Sequence, residues 1–318
     1  MIFAARAVRL MASLFAGAAP EKLPVGGQAV IEGVLMKGPE RWGLAVREPG
    51  GGIMLKTWPG SEWLKKGLWK FPVVRGFATM VEMMRVGMRA LSMSADISLG
   101  EEEKITPLET ALSVGAALLG VAGIFVALPM FASEFLTERF GFTHFEKNIA
   151  EGVIRGIIFI GYVALISLWK DIARVFEYHG AEHKTINAYE SGAELTPENA
   201  ARYPRIHRRC GTSFLIIVIL VSIIVFSAIG DGGALWRVGS RIVLLPLVIG
   251  VSYEFIRAAS NSDTWGAWSI KPALLLQYIT TREPSSDQLE VAMAALGAAL
   301  APSNDITTAG GAENGTDR

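Results

Sequence analysis

The sequence predicts a mainly α-helical, polytopic membrane protein with about four transmembrane helices and a small β-containing cytoplasmic segment before them. The first observation is compositional: 51% of the 318 residues are apolar and only 19% are charged. The mean hydropathy is correspondingly positive, at +0.37. The second observation is the presence of long apolar stretches that match the roughly 30 Å hydrocarbon core of a bilayer.

Four apolar stretches are the predicted spans: residues 111–131, 153–169, 212–229 and 242–256. The second stretch is interrupted only by Arg155, whereas the fourth is shorter and contains Pro246 and Glu254. Because a proline and a carboxylate are costly in the middle of a lipid-facing helix, a re-entrant or interfacial helix stays open for the fourth stretch.

The distribution of Lys and Arg predicts the orientation of the chain in the membrane. The segment between the second and third spans is the richest in these residues, and cytoplasmic loops carry such an excess. We therefore expect a multi-pass membrane protein, with this segment and both termini in the cytoplasm. The basic residues of the segment are Lys170, Arg174, Lys184, Arg202, Arg205, Arg208 and Arg209.

A histidine-rich stretch in the same segment predicts a metal site. His179, Glu182 and His183 follow one another at i, i+3 and i+4, so a helix would project all three side chains from one face. The spacing His-x-x-Glu-His is the inverse of a common zinc signature, in which the glutamate acts as a general base and is not a ligand. We expect His179 and His183 to be ligands and Glu182 to be the catalytic base.

A second cluster, His207 and Cys210, supplies two further candidate ligands about two dozen residues later. Cys210 is the only cysteine of the chain, so it cannot form an intrachain disulfide. Imidazole and thiolate together favour Zn²⁺ over Mg²⁺ or Ca²⁺. A nucleophilic Cys210, with His207 or His183 as its base, remains a minor alternative.

Two more carboxylates are candidates for supporting the ligands. Glu177 opens the histidine-rich stretch, and Glu254 lies where the fourth span leaves the membrane on the same face. An ionisable group at that depth needs a partner, which predicts that Glu254 contacts the metal ligands or the metal itself. A salt bridge from Glu254 to Arg257 or to a loop arginine is the equally weighted alternative.

The remaining chain divides by composition. Residues 24–62 alternate short apolar pieces with Gly and Pro and predict small strands, with a hairpin at the glycines 50–52. Residues 63–106 predict an amphipathic helix that lies on the membrane surface or packs on the soluble part. The other predicted segments are a leader (1–23), a membrane domain (107–258) that carries the metal loop (171–211), a C-terminal helical segment (259–301) and a disordered tail (302–318). The last predicted helix, 286–300, has Ser286 or Asp287 as its expected cap.

Four motifs, GGQAVIEGVLMKGP, EYHGAEHKTINAYE, HRRCGTSFL and SYEFIR, occur in this order along the chain. In these motifs the chain resembles the YqhQ-like bacterial membrane proteins, a family of unknown function described as predicted metal-dependent enzymes. The resemblance covers residues 24 to about 300 and implies a polytopic protein of the bacterial cytoplasmic (inner) membrane with a metal centre. It does not imply a substrate. One departure is Arg208, where the family pattern has a proline; both candidate ligands beside it are retained.

Two classes of function stay open. The first is a metal-dependent membrane enzyme, with a zinc hydrolase favoured, that acts on a peptide, a lipid headgroup or another amphiphile at the cytoplasmic face. The second is a non-enzymatic scaffold, regulator or transport component with a structural metal. The lipid bilayer is a necessary partner in both. A formal net charge of zero indicates no nucleic-acid partner, and the sequence leaves the oligomeric state undetermined.

Overall fold

The computed structural model describes residues 25–99, 107–229, 232–262 and 264–301, so the predicted leader and disordered tail lie outside the described residues. The described strands are β1 (Gly26–Val30), β2 (Gly33–Lys37), β3 (Arg41–Arg47) and β4 (Ile53–Pro59). The described helices are α1 (Val74–Leu99), α2 (Pro107–Ala122), α3 (Leu128–Phe140), α4 (His144–Ile166), α5 (Lys170–Ser191), α6 (Pro197–Ala200), α7 (Gly211–Ser227), α8 (Ala234–Ser260), α9 (Trp265–Ser269), α10 (Lys271–Leu275), α11 (Gln277–Thr280) and α12 (Ser286–Leu300).

The four strands form an antiparallel sheet in the order β1-β2-β3-β4. The glycine run between β3 and β4 forms the expected hairpin. There the Glu48 amide donates to the Gly52 carbonyl at 2.9 Å, and Gly51 has a positive φ of 87°. Glycine adopts this backbone conformation without steric cost, which is why the turn sits at these residues.

Both faces of the sheet are covered by helices. Val34 and Met36 of β2 point to a core that α5 and α12 share, whereas Leu35 and Leu44 point to a second core against α1. Successive side chains of a strand point to opposite faces, so a sheet covered on both faces needs a continuous apolar run. This explains why residues 33–36 of β2 are all buried.

Helix α1 joins the sheet to the membrane helices. Ala90 of α1 is fully buried against the sheet, and Gly76 lies against Tyr253 and the backbone of α8. Met84 and Met88 stay exposed, with 68% and 58% of their surface accessible. One face of α1 therefore packs on the rest of the protein and the other face remains open.

Three described helical segments are long and apolar enough to cross a bilayer: Leu112–Phe140, His144–Ile166 and Leu235–Ser260. The first consists of α2 and α3, joined by a π-helical turn at Gly123–Ala127. The apolar helix α7 is shorter, and its 17 residues span about 26 Å. These elements correspond to the four predicted spans, and most of their apolar surface is exposed, as expected for helices that face lipid. The protein is therefore a membrane protein.

The fourth predicted span is one continuous helix with Pro246 inside it. The cap of α12 differs from the expectation: neither Ser286 nor Asp287 caps this helix. Ser285 is the N-cap, and its amide donates to Oε1 of Gln288 at 2.9 Å. The reciprocal bond of this capping box comes from Gln288, three residues after Ser285, whereas Ser286 has the apolar Leu289 at the corresponding position.

Gly180, in the middle of α5, allows the closest approach in the soluble part. A Cβ atom at this position would clash with the carbonyl oxygen of Arg282 and lie 3.4 Å from Pro284. The Arg282 amide also donates to the Phe176 carbonyl at 2.8 Å, so the segment before α12 is held directly on α5.

We expect Gly180→Ala to lower the stability of the protein by about 1–3 kcal/mol, because the clash is with backbone that cannot rotate away. The matched control is Gly297→Ala in α12, where a Cβ would meet nothing within 4 Å. That variant should gain up to about 1 kcal/mol from helix propensity. Thermal unfolding of both variants in detergent, followed by tryptophan fluorescence, checks the difference; equal melting temperatures would contradict it.

Candidate metal centre

Two elements bring the candidate ligands together. Helix α5 carries His179 and His183 one turn apart, with their ring centroids 4.4 Å from each other. Cys210 is the N-cap of α7, and its sulfur accepts from the Thr212 amide at 3.4 Å. Because α7 begins on the side where α4 ends and α5 starts, the thiol lies next to the two imidazoles.

The ligand atoms of His179, His183 and Cys210 all lie within 4.8 Å of one another. The Cys210 Sγ is 3.3 Å from the His179 Nε2. His183 and Cys210 are buried, whereas His179 is partly exposed. Three donor atoms at these separations surround a space in which one cation can contact all of them after small side-chain adjustments.

Backbone carbonyls orient both imidazoles. The His179 Nδ1 lies 2.7 Å from the Thr280 oxygen, and the His183 Nδ1 lies 2.7 Å from the Arg205 oxygen. A carbonyl oxygen only accepts, so each Nδ1 must carry a proton, and the Nε2 of each ring presents its lone pair when the imidazole is neutral. The His183 Nε2 is buried and has no hydrogen-bond partner among the described residues. Metal-binding histidines are usually oriented in this way, with the ring nitrogen that does not bind the metal donating to a carbonyl oxygen.

The electrostatics of the site favour a thiolate. Burial raises the pKa of the Cys210 thiol, but the neighbouring His179 and His183 outweigh burial and hold that pKa well below its usual value. In the reverse direction, burial lowers the pKa of His179, whereas Cys210 and Glu182 raise it, to about 9. A thiolate beside an imidazolium is therefore the stable protonation state of the metal-free site near neutral pH.

Glu182 lies between the two histidines in sequence, and its carboxylate is directed towards strand β1. The Gly27 amide hydrogen-bonds to it, and a Cβ at Gly27 would lie 3.1 Å from its Oε1. The Oε2 of Glu182 is buried without a partner among the described residues. Burial raises the pKa of Glu182 and Cys210 raises it further, while the two histidines lower it, so that the net shift is upward.

His207 is close to the group but is directed elsewhere. Its ring centroid is 5.7 Å from that of His183, while its Nε2 faces the Glu190 carboxylate at 3.4 Å. Its backbone amide donates to Gln277 Oε1 at 2.8 Å. The structure thus separates the predicted ligands into a group of three and a fourth, buried histidine next to it.

The two predicted supporting carboxylates bind other partners. Glu177 accepts from Gln288 Nε2 of α12 at 2.9 Å. Glu254 is buried and forms a bidentate pair with Arg75 of α1, at 2.6 and 2.5 Å. A salt bridge was one of the two expectations for Glu254, but its partner is Arg75 and not Arg257 or a loop arginine. Arg75 and Glu254 are far apart in the sequence, so the spacing of residues does not predict that they pair.

Sequence reasoning missed the groups that orient the site. The carbonyls of Arg205 and Thr280 fix the imidazoles, and Thr212 Oγ1 lies 2.9 Å from the Cys210 sulfur. Backbone carbonyls carry no sequence signal, because every residue has one. The sequence did indicate the contact of Thr212 with Cys210, because Thr212 lies two residues after the cysteine at the start of an apolar helix.

We expect chelator-treated protein to show the ultraviolet absorbance of a thiolate at neutral pH, because the pKa of Cys210 lies below its ordinary value. His179→Ala removes the neighbouring positive charge, so the absorbance should shift to higher pH. The difference spectrum against Cys210→Ser isolates the signal, since the chain has one cysteine. A thiol that titrates at its ordinary pKa in the parent protein would contradict the ion pair.

Comparison with known proteins places the chain in a family. A family model described as a protein of unknown function (DUF1385) matches residues 71–302. The chain is 33% identical over 286 residues to the uncharacterized protein YqhQ of Bacillus subtilis (strain 168), covering 84% of this chain and 89% of that protein. No solved structure matches. The chain thus belongs to the DUF1385 family of proteins of unknown function, in which YqhQ is a relative.

Proposed function

We propose that this protein is a zinc-dependent membrane enzyme, most simply a hydrolase, with His179, His183 and Cys210 as ligands and Glu182 as general base. The observation that carries the proposal is the buried Nε2 of His183, which has no hydrogen-bond partner among the described residues and lies beside a thiol and a second imidazole. A buried polar atom without a partner is costly, and a bound cation removes that cost.

The donor set selects the metal. Two imidazoles and one thiolate match the ligands of zinc, and three protein ligands leave one position for water, as catalytic zinc sites do. Zinc in such a site supplies Lewis acidity and a bound water that is acidic near neutral pH. The protein supplies the orientation of the ligands through the Arg205 and Thr280 carbonyls.

Glu182 suits the role of base for two reasons. One of its oxygens is held by the Gly27 amide while the other has no partner among the described residues, so the free oxygen is available for a proton. Burial also raises its pKa, which brings proton uptake and release closer to neutral pH.

The surroundings indicate the class of substrate and the compartment. Cys210 is the N-cap of the apolar helix α7, so we place the site at the membrane boundary, where peptides and lipid headgroups are accessible to an enzyme. Lys184 and Arg205 both lie within reach of Glu283 on the same side. The excess of basic residues on this side supports a cytoplasmic site in a bacterial inner membrane, with both termini on that side.

A structural metal site is the second candidate. Its support is the buried His207, whose ring lies 5.7 Å from that of His183. Rotation of this ring away from Glu190 would make it a fourth ligand and close the coordination shell. The protein would then be a scaffold or regulator whose metal fixes the loop between α5 and α7.

Metal content of the detergent-purified protein separates these candidates. We expect near-stoichiometric zinc in the parent, and loss of at least about tenfold in affinity in His179→Ala, His183→Ala and Cys210→Ala. His207→Ala should retain its zinc, because this histidine lies outside the group of three. Loss of zinc in His207→Ala would favour the four-ligand structural site, and a metal-free parent protein would overturn both candidates.

The role of Glu182 is tested by comparing Glu182→Gln with the parent protein. We expect the variant to keep its zinc but to hydrolyse p-nitrophenyl butyrate or fluorogenic peptides about 10²–10⁴-fold more slowly. Cobalt-substituted protein reports on the open position, because added anions change its visible spectrum only if a ligand can be exchanged. A spectrum that anions leave unchanged, together with no zinc-dependent hydrolysis, would refute the enzymatic role.

A further inference from the structure

A second polar site lies at the opposite end of the membrane helices. The first turns of α4 and α8 and the C-terminal end of α7 line a small cleft. Since α7 runs from Cys210 to this cleft, the two sites are about 24 Å apart along the helix. Among the residues that line the cleft are Lys147, Arg237, Ser240 and Arg241.

The charges around the cleft do not balance among the described residues. Lys147 and Arg237 both bind the single carboxylate of Glu134, the lysine at 2.8 Å. Next to them, Arg155 and Arg241 both bind the single carboxylate of Glu151, at 2.6 and 2.5 Å. Four cationic side chains thus share two carboxylates, which leaves an excess of two positive charges.

The excess positive charge lowers the stability of the protein because the cationic side chains are largely buried. The side chains of Lys147, Arg237 and Arg241 are only 10%, 13% and 12% exposed, on helices whose outer surfaces face lipid. Buried cations that outnumber their carboxylate partners among the described residues are destabilised by mutual repulsion, and a bound anion would reduce that repulsion.

The cationic groups are also held in place. Arg237 Nη2 donates to the Met130 carbonyl at 3.3 Å, and Arg241 Nη1 donates to the Arg237 carbonyl at 2.9 Å. Arg155 Nε donates at 2.9 Å to Phe125, in the π-helical turn between α2 and α3. Fixed cations bind an anion without the entropic cost of ordering long side chains.

We propose that this cleft binds a phosphate group, supplied by free phosphate or by the headgroup of an anionic lipid. Guanidinium groups match the oxygens of phosphate in paired hydrogen bonds, and Lys147 adds a point charge. The cleft lies where α4 and α8 enter the membrane, which is the depth of lipid headgroups. This site is independent of the proposed zinc site at the other end of the helices.

Binding of inorganic phosphate to the full-length protein in dodecyl maltoside tests the proposal, with titration calorimetry as the readout. The key comparison is Ser240→Asp with Ser240→Ala. Both variants lose the hydrogen bond from Ser240 Oγ to the Arg237 carbonyl, but only the first adds a carboxylate to the cleft. We expect Ser240→Ala to bind phosphate like the parent, and Ser240→Asp to bind at least about tenfold more weakly.

Thermal unfolding of the variants is a second measurement, which tests the proposal even if one variant folds poorly. The added carboxylate should neutralise part of the excess charge, so Ser240→Asp should unfold at a higher temperature than Ser240→Ala when no phosphate is present. Arg139→Gln, which removes an exposed cation at the same end of the helices, should leave phosphate binding unchanged.

The source of the phosphate group follows from a parallel titration with short-chain phosphatidylglycerol. Binding of both ligands with the same dependence on Ser240→Asp assigns the site to phosphate in general. Binding of the lipid alone assigns it to a headgroup. If neither ligand binds, or if all variants bind equally, the proposal is wrong, and the excess charge must be balanced by groups outside the described residues.

Discussion

The close packing of α5 between the sheet and the segment before α12 is the constraint on which the rest of the structure depends. Gly180 admits the Arg282 backbone, and Gly27 admits the Glu182 carboxylate. These two contacts allow the polar face of α5 to be buried, because backbone groups then satisfy the side chains. A metal centre on a solvated helix would lack this orientation. The same packing that stabilises the soluble part therefore also prepares the candidate site.

The soluble and membrane parts are connected by polar contacts as well as apolar ones. The partly buried Arg75–Glu254 pair joins α1 to α8. Gln277 holds the loop that leads to Cys210 through both its side-chain nitrogen and its side-chain oxygen. Such contacts are stable only when both partners are present, since loss of either leaves a buried polar group unpaired. They fix the start of α7, and with it the thiol, relative to the histidines of α5.

The two ends of the membrane helices differ in chemistry. At one end, a thiol, two imidazoles and a carboxylate form a group with too few hydrogen-bond partners. At the other end, four cations share two carboxylates. Among the described residues, neither cluster satisfies all of its polar atoms or charges internally, which is the basis for proposing a cation at the first and an anion at the second. A chain with no net charge thus separates its charges by location.

The sequence by itself determined the class of fold, the four apolar helices, the hairpin at the glycine run and the candidate ligands His179, His183 and Cys210. These follow from hydrophobic periodicity and residue spacing, which are local properties. Only the tertiary structure decided that His207 faces Glu190, that Glu254 pairs with Arg75, and that backbone carbonyls orient the imidazoles. Each of these contacts joins residues or segments distant in the chain or uses backbone atoms common to all residues. The physical reason is that hydrogen-bond partners are chosen by packing in three dimensions, which spacing along one helix does not encode.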